Sequence, residues 1–240
     1  MNKVFICPSD IKSKSEISIT GSKSESNRLL IINALYSDIE LLNLSNSDDT
    51  KVLIKALSNL NGQIDIHHAG TAMRFLTAFL AQIEDREFVI TGSARMQERP
   101  IGILVDSLNE LGFEIRYLDK KGFPPLKIIG KKNIKSEIKL NSTVSSQYIS
   151  ALMLIAPSLD NGLKIILEGQ IISKPYINLT LNILKKIGVK CSFKKNIIEI
   201  KNHSKSKISQ YTVESDWSSA SYFYSIVSLL DNATIILSSF

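Results

Sequence analysis

The chain has 240 residues, 44% of them apolar, and 29 Lys and Arg against 23 Asp and Glu for a formal net charge of +6. That length supports one large domain or two smaller ones with real cores, and the composition excludes disordered and fibrous classes. Scattered lysines without interleaved aromatics disfavour nucleic acid and favour small anionic ligands, while Cys7, Cys191, His67, His68 and His203 have neither metal-ligand nor disulfide-framework spacing.

In chain order, MNKVFICPSD holds too short an apolar segment for a secretory signal, and no run approaches the ~18 apolar residues of a membrane helix. A cytoplasmic location is therefore expected. A strand is expected over 17–20. GSKSESNR, residues 21–28, then leads into LLIINAL, an apolar run suited to a buried helix with Ser22 or Ser24 as its N-cap. Lys23 and Arg28 at that start oppose the helix dipole by roughly 0.3–1 kcal/mol each unless an anion sits among them, and Glu25 offsets only part of this. The spacing of a nucleotide P-loop is absent, which excludes an NTPase.

DDTKVLIKALSNLNGQIDI (48–66) reads as an amphipathic helix, a C′ glycine at Gly62 and a strand. His67 and His68 have no carboxylate or nucleophile at a telling spacing and read as structural. AGTAMRFLTAFLA (69–81) opens an apolar helix on a small polar cluster, and a strand follows over 87–91. In ARMQERPIGILVDSL (94–108), Pro100 suits the first helical position, which leaves Arg95 and Arg99 in a non-helical segment where a guanidinium can grip phosphate or carboxylate bidentately. Pairing with Glu98 or Asp106 is the simpler alternative. Gly112 caps this helix before another strand.

Strands are expected over 126–129, 137–140, 164–167, 197–200 and 210–213. Between them STVSSQYISALM (142–153) sets Ser145, Ser146 and Gln147 at the start of a third apolar helix. In ISKPYINL (172–179), Ser173 and Tyr176 bracket Pro175, and the helix ends at Gly188. KNHSKSK (201–207) is the most linker-like stretch. In VESDWSSASYF (213–223), Asp216 reads as the N-cap of a last helix, with Trp217 and Tyr222 as core or domain-contact residues.

Two units thus recur. One is an amphipathic helix, a glycine turn and a strand, seen three times; the other is a polar cluster opening an apolar helix, seen four times. Alternating units of this kind predict an α/β architecture of duplicated modules, a compact domain of three similar units rather than an open solenoid. Arranged about one axis, the polar helix starts would aim free backbone N–H groups and hydroxyls at one place, an anion site, alongside Lys23, Arg28, Arg74, Arg95 and Arg99.

Six ordered segments, GSKSESNRLLIINAL, AGTAMRFLTA, RMQERPIGILVDSL, STVSSQ, ISKPYINLTLNIL and VESDWSSASYF, resemble the EPSP synthase (3-phosphoshikimate 1-carboxyvinyltransferase) family from residue 21 to 223. The resemblance implies an enolpyruvyl transferase-like α/β (α+β) fold of two similar domains, each of three βαβαββ repeats. Here that gives 1–21 as the start of a first domain, 22–214 as a complete second domain, and 215–240 as a return into the first.

It also implies enolpyruvyl transfer from phosphoenolpyruvate to the 5-hydroxyl of shikimate 3-phosphate, with neither metal nor organic cofactor, in a protein that is monomeric at full length. By family pattern Lys23 and Arg99 contact phosphoenolpyruvate and Gly70 allows close backbone approach. Ser24 and Arg28 hold the carboxylate side of shikimate 3-phosphate, and Ser145, Ser146 and Ser173 its phosphate. Gln147 lies between the substrates, Tyr176 lines the pocket, and Lys23, Arg99 and Gln147 are the catalytic set. Departures are His68 for the usual Asn, Phe75 for a frequent Pro, and Ser215 and Trp217 around Asp216. The chain ends at ATIILSSF, in mid-domain by that pattern, so binding without turnover by this piece alone is expected. The alternatives are a non-catalytic anion-binding module of the same fold and the related UDP-N-acetylglucosamine enolpyruvyl transferase, which commonly uses a loop cysteine.

Overall fold

A computed structural model describes residues 12–36, 38–141, 143, 145–171 and 173–238. The whole opening decapeptide, Cys7 included, and the last two residues lie outside them.

Two four-stranded sheets share one connectivity. In the first, β3 (Gln63–Asp65) runs parallel to β4 (Glu87–Thr91), β4 antiparallel to β6 (Leu126–Ile129), and β6 antiparallel to β5 (Glu114–Tyr117). In the second, β7 (Glu137–Asn141) is parallel to β8 (Leu163–Glu168), followed in order by β10 (Ile197–Ile200) and β9 (Cys191–Lys194), both antiparallel. Each parallel pair is bridged by a helix, α3 (Gly70–Ala81) or α6 (Ser146–Ile155). Each hairpin is entered through a second helix, α5 (Gly102–Glu110) or α7 (Lys174–Lys186). The expected βαβαββ unit is therefore present twice.

The third unit is assembled from both ends of the chain. Its central helix is α1 (Lys23–Tyr36), followed by β2 (Glu40–Leu42) and α2 (Asp48–Ser58). The parallel partner of β2 comes from far along the chain as β11 (Gln210–Thr212), with Tyr211 opposite Leu41. Outside this unit, β1 (Lys14–Ser18) pairs in parallel with β12 (Thr234–Ser238), and α8 (Trp217–Ser228) lies on β12. The two passages of chain cross at an antiparallel bridge between Gly21 and Ser215.

Helix composition explains this layering. In α3 every residue but Thr71 is buried, and in α6 every residue after Gln147, as expected for helices apolar all round. They pack against each other and against α1 at the centre. By contrast α2 buries only Thr50, Leu53 and Ala56, and α7 buries Ile177, Thr180, Leu181, Ile183 and Leu184, stripes at three- and four-residue spacing that cover one face. Each fully buried Leu, Ile or Phe of the central helices contributes on the order of 1.5–3 kcal/mol.

The fourth helix expected to match these does not. Of α8 only Ala220 is buried, while Trp217 is 60% and Tyr222 74% exposed, so neither is a core residue among the described residues. A short helix, α4 (Ala94–Gln97), capped by Ser93 accepting from the Met96 N–H, holds Arg95, which the sequence placed in a non-helical segment. The next helix begins at Gly102 rather than Pro100.

The glycine turns also separate. Gly112 and Gly188 close Schellman motifs, with Phe113 N–H donating to Leu108 O (3.1 Å) and Val189 N–H to Leu184 O (2.9 Å). Gly62 lies beyond an extended C-cap at Asn59 and belongs to the turn into β3. At Gly112, φ is +106° and a Cβ would lie 2.8 Å from the Ile134 backbone nitrogen, whereas at Gly62, φ +68°, nothing lies within 4 Å. Gly62→Ala is expected to cost about 1–2 kcal/mol, the left-handed strain alone, and Gly112→Ala more than that, strain plus the clash with Ile134, measured as denaturant midpoints.

Candidate functional site

A cleft of about 490 Å³ opens where helix starts converge. Ser22 immediately precedes α1, which supplies Lys23 and Ser24; Ser47 is the N-cap of α2, and Thr71 lies in the first turn of α3. Ser145 is the N-cap of α6, which supplies Ser146 and Gln147; Tyr176 comes from α7, and Asp216 is the N-cap of α8, which supplies Ser218. A parallel βαβ unit sends its helix away from the carboxyl end of the strand before it, which places the starts of α3 and α6 at those ends of β3 and β7. Ser145 caps α6 by accepting from the Gln147 N–H at 3.3 Å, and Asp216 caps α8 by accepting from the Ser218 N–H at 3.0 Å. The Ser47 and Ser173 side chains make no cap bond to their helices.

Arg28 enters this cleft from below. It is 3% exposed, donates from Nε to Thr180 Oγ1 (2.8 Å), from Nη1 to Ser24 O (2.8 Å) and from Nη2 to Ser150 Oγ (2.8 Å), and lies over the Tyr176 and Phe75 rings. No carboxylate pairs with it among the described residues. Burial lowers its pKa to about 10, with the Tyr176 hydroxyl opposing the fall. Its folded pKa being depressed, the cation weakens folding throughout the neutral range, and that penalty is relieved only as pH rises past 10. The acids nearby face other groups, and the buried Asp49 Oδ2 has no hydrogen-bond partner among the described residues. Glu25 accepts from Tyr211 Oη (2.7 Å) and the Glu214 N–H (2.9 Å), and Asp49 pairs with Lys23 at 3.3 Å.

A second cavity of about 530 Å³ is lined by His68, Arg95, Met96 and Arg99. Gly70, at the start of α3, borders Arg99 so closely that a Cβ there would lie 2.4 Å from Arg99 Nη1 and 3.0 Å from Arg74 Nη1. Arg74 is 5% exposed and its Nε has no hydrogen-bond partner. Burial lowers its pKa, with Tyr148 opposing and the Arg99 charge adding to the fall. Two guanidinium groups thus converge on a helix start whose N-cap, Ala69, has no side chain to satisfy it. His67 Nδ1 and His68 Nδ1 face each other at 2.6 Å, and His67 is anchored by its N–H donating to Asp65 Oδ1 at 2.7 Å.

Of the residues singled out from sequence, Lys23, Ser24, Arg28, Ser145, Ser146, Gln147 and Tyr176 line the first cleft, and Arg99 with Gly70 borders the second cavity. Ser173 sits at the N-cap of α7, its carbonyl accepting from the Tyr176 N–H at 3.2 Å. Sequence reasoning passed over Thr71, Ser47, and the pair Ser150 and Thr180 that seats Arg28. The available clue was a lone hydroxyl inside each of two apolar helical runs, ISALMLI and NLTLNIL.

Ser150 Oγ and Thr180 Oγ1 lie 3.2 Å apart, and Thr180 also donates to Tyr176 O at 2.9 Å, so both hydroxyls keep partners without Arg28. Arg28→Met is therefore expected to leave the unfolding free energy unchanged or raise it by up to about 2 kcal/mol, as when an uncompensated buried ion gives way to an apolar chain. A comparable loss in denaturant unfolding would show instead that Arg28 is a structural clamp between α1, α6 and α7.

The chain's likenesses agree with one another. A sequence model described as EPSP synthase (3-phosphoshikimate 1-carboxyvinyltransferase) matches residues 61–239. A 3-phosphoshikimate 1-carboxyvinyltransferase of Bacteroides fragilis (strain YCH46) is 50% identical over 238 residues, 99% of this chain and 57% of that protein. One of Colwellia psychrerythraea is 39% identical over 241 residues, covering 88% and 56%. In solved structures, an EPSP synthase from Acinetobacter baumannii superposes with a TM-score of 0.79 at 20% identity, over 97% of this chain and 57% of that one. The chain therefore spans less than two thirds of the length of the relatives it matches.

Proposed function

The chain belongs to the EPSP synthase family, and on that premise we propose that it holds shikimate 3-phosphate and phosphoenolpyruvate for transfer of the enolpyruvyl group to the 5-hydroxyl. The single observation that carries this reading is a buried, carboxylate-free Arg28 beneath a cleft rimmed by helix starts. Such a cleft is complementary to a small ligand with separate anionic groups and a polar ring.

In this reading Arg28 and Ser24 receive the shikimate carboxylate side, and Ser145, Ser146 and Ser173 the phosphate. Gln147 spans the two ligands and Tyr176 lines the ring. Phosphoenolpyruvate lies at the α3 start, against Gly70, Arg99 and Lys23. Lys23 is shared with Asp49 through an ion pair 46% and 18% exposed, weak enough to yield to a ligand. The reaction adds the 5-hydroxyl oxygen to C2 of phosphoenolpyruvate with protonation at C3. Phosphate then leaves from the tetrahedral intermediate, C2 regaining its double bond as the C3 proton departs. Lys23, Arg99 and Gln147 act by positioning and by fixed charge as phosphate departs. The proposed division is 1–21 and 215–240 in one domain and 22–214 in another, supported by the Gly21–Ser215 crossing and by β11 closing the third unit. No helix among the described residues is long and apolar enough to cross a membrane.

Among the described residues a cysteine-dependent relative finds no support, since Cys191 lies in β9 donating to Leu181 O at 3.7 Å, and burial raises its pKa. Calorimetric titration of the chain is expected to show shikimate 3-phosphate binding and shikimate binding weaker by more than tenfold; equal affinities would sink the reading. Arg99→Ala is expected to weaken phosphoenolpyruvate by roughly 10- to 100-fold, the worth of one charge-assisted bond. Because the binding form of Arg28 is protonated and its pKa is about 10, a bound anion pulls that pKa upward. Titrations in buffers of different ionisation heat should therefore show proton uptake on binding at pH 10 and none at pH 8.

A further inference from the structure

The carbonyl of Pro100 accepts two hydrogen bonds from two different central helices. Tyr148 Oη of α6 donates at 2.6 Å and Arg74 Nη2 of α3 at 3.1 Å. Both donors are buried, Tyr148 at 6% exposure and Arg74 at 5%, and neither bond belongs to a helix or a sheet ladder. They reach across to the segment between α4 and α5 that carries Arg99. Proline offers no N–H, so its carbonyl is the one polar handle on the backbone at that point.

Arg74 also donates from Nη1 to Gly70 O at 2.9 Å. One guanidinium thus ties down both stretches of backbone flanking the Arg99 side chain, Gly70 on one side and Pro100 on the other. Arg99 needs such restraint. It is a long, rotamer-rich side chain, exposed and brought beside a like charge, so its own packing does little to fix its direction.

We infer that Tyr148 and Arg74 are positioning residues for Arg99, fixing the Pro100 carbonyl and so aiming the Arg99 guanidinium at the start of α3. The inference rests on the reading of Arg99 as a ligand for phosphoenolpyruvate. It adds a connection between the two cavities: one turn of α6 presents Gln147 to the cleft and Tyr148 to the loop bearing Arg99. A plainer account is that Pro100 merely satisfies a buried phenol that needs a partner. The two accounts differ in what the loop and the ligand feel when the hydroxyl is removed.

The test is Tyr148→Phe in the 240-residue chain, with Arg74→Lys as a second variant that keeps the charge but cannot span both carbonyls. Three readouts are taken: amide hydrogen exchange over 98–104, and calorimetric affinities for phosphoenolpyruvate and for shikimate 3-phosphate. Expected for Tyr148→Phe are exchange over 98–104 faster by roughly tenfold, phosphoenolpyruvate weaker by roughly tenfold, and shikimate 3-phosphate within about twofold. Unchanged exchange over 98–104, or faster exchange with phosphoenolpyruvate unaffected, overturns the inference. So does acceleration spread over the whole molecule, which would mark the bond as general packing. Faster local exchange in a chain that binds phosphoenolpyruvate neither before nor after substitution keeps the clamp and sinks the substrate reading instead.

Discussion

A buried guanidinium without a carboxylate is the constraint around which the rest of this molecule is arranged. Taking Arg28 out of water disfavours its charged form, and the three neutral acceptors that seat it return only part of that loss. A fold selected for stability alone would bring an acid to it, and acids are at hand. Glu25, one turn earlier on α1, is just as buried, yet both its oxygens face Tyr211 and the Glu214 amide. Asp49 is turned to Lys23. The third unit thus uses its own carboxylates to hold β11 and the α1 start, leaving the positive charge under the cleft unbalanced.

The repeat geometry multiplies that effect. The α3 and α6 helices carry their polar openings at the cleft and are then buried along the rest of their length, so their first turns are the parts that meet solvent or ligand. Partial positive charge at several helix ends then adds to Arg28, Lys23, Arg74 and Arg99 over a short distance. Gly70 shows how close the arrangement is: a Cβ there would fall 2.4 Å from Arg99 Nη1, so the Arg99 guanidinium would have to shift from the α3 start. Burial of the helix bodies is what makes the arrangement rigid enough to hold like charges near one another.

Much of this was legible in the residues, and the failures have physical causes. Uniformly apolar runs opened by Ser, Thr and Gly marked α1, α3 and α6 because nothing but a central helix can bury such a surface. The same pattern failed for α8, where WSSASYFYSIVSLL is as apolar but only Ala220 is buried: composition states what a helix could bury, not what lies beside it. The glycine rule held at Gly112 and Gly188 and failed at Gly62, because positive φ serves a turn as well as a helix cap. β2 went unseen because three residues carry no periodicity, and its partner β11 lies 170 positions away in register, Gln210 opposite Glu40. Ser150 and Thr180 were hidden for the same reason, since their shared guest, Arg28, is remote from both in sequence.

That long-range closure also decides where the cleft can be. Gly21 and Ser215 meet at the bridge, with Ser22 N–H donating to Glu214 O at 2.8 Å and Asp216 N–H to Thr20 O at 2.9 Å. The crossing is tight: a Cβ on Gly21 would fall 1.8 Å from Asn43 O, at the end of β2. So the residue that begins GSKSESNR is small because two strands and a third backbone pass within contact distance there. The two residues after it, Ser22 and Lys23, are delivered to the cleft from one passage of the chain, and Asp216 and Ser218 from the other. The start of α1 with Lys23 and the start of α8 capped by Asp216, whose two oxygens accept from Ser218 N–H and Ser219 Oγ, therefore border one cleft and are held there by the same few main-chain bonds.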